Sequence, residues 1–92
     1  MFSQHSYDYG IVVYEGRLDT YVIYTKSGYC IVEVYSGYME KDDFLLGRFN
    51  TYGFETLLND NKKSSVRVYI EDWALSESAA YDWMERHNKL RY

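Results

Sequence analysis

Proline is absent from this 92-residue chain, cysteine occurs once and histidine twice. Without proline there is no proline-rich linker, and a lone Cys30 cannot close an internal disulfide. Cys30 falls on the aliphatic side of a β-prone run, which predicts a buried thiol and a reducing compartment. Neither His5, near the start of the chain, nor His87, in its last helical stretch, has a cysteine or carboxylate at metal-ligand spacing. Glu40, Asp42 and Asp43 lack the spacing and turn glycine of a calcium loop. There is no phosphate-cradling glycine loop, no Gly-x-Ser-x-Gly elbow and no basic cleft. No enzyme activity, metal or cofactor is therefore expected. No apolar run approaches the ~18 residues of a membrane span, and residues 1–9 lack the basic region and apolar core of a signal peptide. The expectation is a cytoplasmic protein with no membrane partner.

Charge is in modest acidic excess: 14 Asp and Glu against 10 Lys and Arg, net −4. The imbalance lies in residues 1–60, with nine acids against four bases, while residues 61–92 are nearly neutral. A nonspecific phosphate binder needs a basic footprint. An acidic surface instead suits basic partners steered by complementary potential.

What is present in quantity is β-branched and aromatic sequence. In Tyr21–Tyr35, two such runs flank Thr25-Lys26-Ser27-Gly28, whose glycine supplies the positive φ of a tight turn, so the stretch predicts an antiparallel hairpin. Along its second run Cys30, Val32 and Val34 share a dry face, and Tyr29, Ile31, Glu33 and Tyr35 a wettable one. Residues 10–14 precede the hairpin as a further strand, giving a three-stranded meander. Residues 36–43 read as an acidic loop, and 44–49 as a short strand or a poorly formed helical turn, with the strand preferred. Phe54, Leu57 and Leu58 fall at the spacing of a helix face, predicting a short helix over 51–60 capped by Thr51. Val66, Val68 and Ile70 alternate with Arg67, Tyr69 and Glu71 as a strand. The last element is a helix over 76–88 with Ala79, Ala80, Trp83, Met84 and His87 as its apolar stripe. The predicted fold is one α+β domain over 1–92, a mostly antiparallel sheet of three to five strands with two helices packed on one face.

Twelve tyrosines exceed what a core of this size accommodates with every hydroxyl bonded, so several lie at the surface. Tyrosine is a good strand former and serves a solvated sheet face well. It is also enriched in contact patches, and Tyr29, Tyr35, Tyr38 and Tyr69 are the candidates for an interface. Such aromatics stack nucleobases too, but that use needs Lys and Arg along the backbone track, and Glu33 sits between Tyr29 and Tyr35. The carboxylates admit another use. Duplex DNA is a charged rod, and a protein displaying acids along its surface occupies a cleft built for that rod. Glu33, Glu40, Asp42, Asp43, Glu71, Asp72, Asp82 and Glu85 are the candidates. The plainer account is that these acids solubilise a sticky domain.

Length, the acidic tyrosine-rich strand segment and the tail from Glu71-Asp72-Trp73 through Asp82-Trp83-Met84-Glu85 make the chain similar in general character to the small acidic antirestriction proteins of T-even-like phages, the Arn family. The resemblance implies a homodimeric DNA mimic in the host cytoplasm, binding no nucleic acid itself. Its partner would be a host restriction endonuclease acting on modified cytosine, with a nucleoid protein as a further target. Two other expectations stand beside it: an inhibitor or adaptor that binds protein through its tyrosine face, and a small nucleic-acid-binding module.

Overall fold

A computed structural model of the chain describes residues 7–91. Six strands, β1 (Asp8–Glu15), β2 (Thr20–Thr25), β3 (Gly28–Ser36), β4 (Phe44–Gly47), β5 (Gly53–Asn59) and β6 (Ser64–Leu75), precede one helix, α1 (Glu77–Arg86). The strands close into a barrel in the order β1-β2-β3-β6-β5-β4, and every pairing is antiparallel. Two three-stranded meanders, β1–β3 and β4–β6, are thus joined through their outer strands, β3 to β6 and β1 to β4. Closure leaves no unpaired sheet edge, which matters for runs as β-prone as β3 and β6.

The meander and its hairpin form as read. Thr25 pairs with Gly28 across the two-residue turn Lys26-Ser27. The Thr25 hydroxyl accepts from Ser27 N at 3.1 Å and donates to Gly28 O at 2.9 Å. Gly28 has φ +122°, a conformation that side chains resist.

The α+β expectation is wrong, and residues 51–60 show why. They form β5, not a helix: Leu57 and Asn59 point into the barrel while Phe54, Thr56 and Leu58 point out. The strand period was masked because its inward row carries polar Glu55 and Asn59 and its outward row carries apolar Phe54 and Leu58. That arrangement places 54, 57 and 58 at helical spacing by coincidence. A continuous register from Gly53↔Ile70 to Asn59↔Ser64 against β6 decides the matter, the pairing overriding local pattern. The short strand expected at 44–49 is β4.

The barrel interior is filled by side chains, as in other small barrels. Ile23, Val32, Leu45, Leu57, Val66, Val68 and Ile70 are fully buried there, beside Cys30. Gly10 faces the same core, where a Cβ would lie 2.5 Å from Ile23 Cγ2, so any larger residue forces its neighbours to shift. A second, smaller core lies outside the barrel, where Ala80 and Met84 of α1 cover Val22 of β2 and Ile31 of β3. Ser76 caps α1, its hydroxyl accepting from Ala79 N at 3.1 Å. His87 extends the expected stripe differently, stacking on Trp83 at 3.8 Å while remaining exposed. His5 lies outside the described residues. No described helix is long and apolar enough to cross a membrane.

Candidate interaction surface

Because side chains alternate along a strand, three neighbouring strands whose inward rows hold Val32, Val68 and Leu57 turn their other rows away from the barrel interior. Those outer rows carry Tyr35 on β3, Tyr69 on β6 and Phe54 on β5. Tyr69 of β6 pairs laterally with Glu33 of β3 on one side and Phe54 of β5 on the other. Phe54 stands at the centre of a ring cluster. Its ring meets Tyr69 edge-on at 4.9 Å and Tyr35 edge-on at 5.0 Å, and the Arg67 guanidinium lies 5.1 Å from its centroid. Arg67 also reaches Thr56 Oγ1 at 3.5 Å. Tyr35 is 58% exposed and Phe54 47%, so this is surface and not core. Edge-to-face packing and the cation-π contact fix the rings relative to one another before any partner arrives. Where β5 begins, exposed Tyr52 packs at 6.0 Å from Trp73 and donates its hydroxyl to Asp72 Oδ1 at 3.3 Å.

Of the four tyrosines expected at an interface, the fold unites Tyr35 and Tyr69 and separates the other two. Tyr29 lies at the other end of β3 beside α1, its ring 4.9 Å from Tyr24. The covering of Ile31 by α1 divides the outer face of β3 into two unconnected parts. Tyr38 sits in the β3–β4 connection, bonded to Glu40 at 3.2 Å with the Lys62 ammonium 5.5 Å from its ring. Phe54 is the residue that sequence reasoning missed; reading 53–59 as a strand against β6 puts it beside Tyr69 at once.

The carboxylates are more dispersed. Asp43 is only 5% exposed. Its Oδ2 accepts from Glu40 N at 3.0 Å, Asn59 Nδ2 at 2.9 Å and Lys62 Nζ at 2.9 Å. Lys62 also reaches Glu40 at 2.8 Å. Asn59, fully buried, accepts at Oδ1 from the amides of Asn61 and Lys62. These residues close one end of the barrel as a polar plug. Burial pushes the Asp43 carboxyl up, but the bonds from Asn59, Lys62 and the Glu40 amide outweigh it and hold the group below the usual aspartate range. Lys62 likewise holds Glu40 low, through its hydrogen bond and charge. Asp42 is exposed in the same connection, with φ +76°. Glu33 stands half-buried on the barrel wall, Glu71 and Asp72 half-buried further along β6, and Asp82 and Glu85 exposed on α1. Among the described residues, no group of three or more His, Cys, Asp and Glu is arranged to hold a metal ion.

No family model, curated protein or solved structure matches the chain. The likeness to antirestriction proteins therefore rests on sequence character alone.

Proposed function

We propose that this protein is a non-catalytic binding module that takes a protein partner on the outer wall of β3, β6 and β5. One observation carries the reading: exposed Tyr35, Phe54 and Arg67 and half-buried Tyr69 form a single surface cluster braced through Phe54. Tyrosine and arginine dominate the energetics of protein interfaces, and rings already held in place lose little entropy on binding. The partner's contact surface is apolar at its centre and basic at its edge, to suit Glu33 beside the cluster and the net charge of −4. A nucleobase-stacking role is less well supported, since among the described residues Arg67 is the one cation that packs on these rings, and Glu33 adjoins them. The test uses the chain as bait in cell lysate beside a Tyr35→Ser/Tyr69→Ser chain. A protein recovered only by the wild type supports the reading; identical recovery on both overturns it.

A second reading, inhibition of a host modified-cytosine restriction endonuclease by DNA mimicry, is favoured by Asp82 and Glu85. These acids stand three residues apart and exposed on α1, and neither is ion-paired within the described residues. Glu40 and Asp43 contribute less to it, because Lys62 neutralises them. Competition with duplex DNA and steep weakening by salt distinguish this reading from the first.

A further inference from the structure

Between α1 and the outer wall of β1–β3 runs a cleft of about 310 Å³. Its floor is apolar, made by Val22 and Met84, both buried. Three tyrosine rings contribute to its lining from three elements: Tyr14 from β1, Tyr29 from β3 and Tyr81 from α1. Among the described residues, the only charged side chain lining it is Glu77, in the first turn of α1. From these residues we infer that the cleft is a binding site for a small organic cation, an alkylated ammonium of the size of choline.

The argument is one of complementarity. Aromatic faces carry negative electrostatic potential and attract ammonium groups, the more strongly as water is excluded. A carboxylate at the same site supplies the counter-charge. An anion would be repelled by Glu77, and a neutral apolar ligand would gain nothing from its charge. Among the described residues no lysine or arginine lines the cleft to compete, and none of their ion pairs engages Glu77. The volume lies at the lower bound of small-molecule sites, roughly 300 Å³, which fits a compact ligand.

Two of the rings are held in advance. The Tyr14 hydroxyl accepts from Arg91 N at 2.7 Å, tying β1 to the segment after α1. Tyr29 is braced by Tyr24 at 4.9 Å. Burial and then the Glu77 charge raise the Tyr29 hydroxyl above its ordinary pKa, which places that carboxylate within electrostatic reach of the ring. Tyr81 lines the cleft from α1 and is 57% exposed. This site is separate from the Tyr35–Phe54–Tyr69 wall and does not rest on the function proposed for it.

The test is titration of the full chain with choline, followed through backbone amide shifts, beside its neutral isostere 3,3-dimethylbutanol and a trimethyllysine peptide. The expected result is saturable shifts at Tyr14, Tyr29, Glu77 and Tyr81, with the isostere about tenfold weaker or more. Glu77→Gln and Tyr81→Ala, both at exposed positions, are expected to weaken choline binding by a similar factor while spectral dispersion is kept. Absence of shifts with choline up to about 10 mM, equal binding of the isostere, or an unchanged response in Glu77→Gln overturns the assignment. Binding of the peptide at least tenfold tighter than choline overturns the free-ligand assignment in favour of a modified protein tail.

Discussion

The Lys62 ammonium bridges both carboxylate oxygens of Asp43, 3.0 Å from Oδ1 and 2.9 Å from Oδ2. Lys62 comes from the β5–β6 turn and Asp43 from the β3–β4 connection, so the pair ties the segment that links the two meanders to a turn within the second. Removing the carboxylate leaves Asn59 Nδ2 and the Glu40 amide short of a partner at a buried site. Asp43→Ala is expected to lower the unfolding free energy by about 3 kcal/mol, read from urea unfolding.

The same plug sets an acid limit. Asp43 and Glu40 both titrate below their ordinary ranges in the folded chain. As pH falls through the ordinary carboxylate range, about 4, the unfolded chain takes up protons first. Their contribution is thus complete above that range and is lost as pH drops through the lower folded values. Lys62, raised by its bonds to Glu40 and then Asp43, behaves in the opposite sense. Its contribution is complete below the ordinary lysine range and declines as pH rises through the folded value. Urea midpoints measured against pH are expected to fall on both sides. Asp43→Asn flattens the acid limb, and Lys62→Met moves acid unfolding to higher pH.

Cys30 is buried against Phe49, and burial pushes its thiol up to about 12, with Asp72 adding to the effect. A thiol so protonated and enclosed is a poor nucleophile. At mildly alkaline pH a disulfide reagent is expected to leave native protein unmodified and to titrate one thiol per chain once denaturant is added. Rapid labelling of the folded chain contradicts the burial.

Gly10 is a close-approach position, since a Cβ there meets Ile23 and the Phe49 ring. Gly10→Ala is expected to cost about 1 to 3 kcal/mol by overpacking, seen as a lower thermal midpoint with a native-like circular dichroism spectrum at low temperature.

Much of this was legible beforehand. Val66, Val68 and Ile70 alternate because one row fills a core and the other does not. Ala80 and Met84 announce a helix with one buried stripe, beginning near Ser76. Thr25 to Gly28 carries its own turn chemistry. What escaped the sequence depended on partners distant along the chain. Phe54, Leu57 and Leu58 satisfy a helix pattern until β6 is placed beside them. Without β5, the sheet shows no reason to close. Asp43 resembles any solvated loop acid until Asn59 and Lys62 return from another turn to bind it. For the candidate surface, Tyr35 and Tyr69 were visible as outward residues, but their meeting through Phe54 required the β3-β6-β5 order. The separation of Tyr29 required the covering of Ile31 by α1.

The claim that the aromatic wall is the working surface is tested most directly by affinity for the partner captured on the wild-type chain. Dissociation constants would be compared for the wild type, Tyr35→Ser/Phe54→Ser/Tyr69→Ser and Asp82→Asn/Glu85→Gln. The account predicts about a hundredfold loss or more for the aromatic variant, with the acid variant within about threefold of wild type. Unchanged affinity in a folded aromatic variant, with loss in the acid variant, contradicts it.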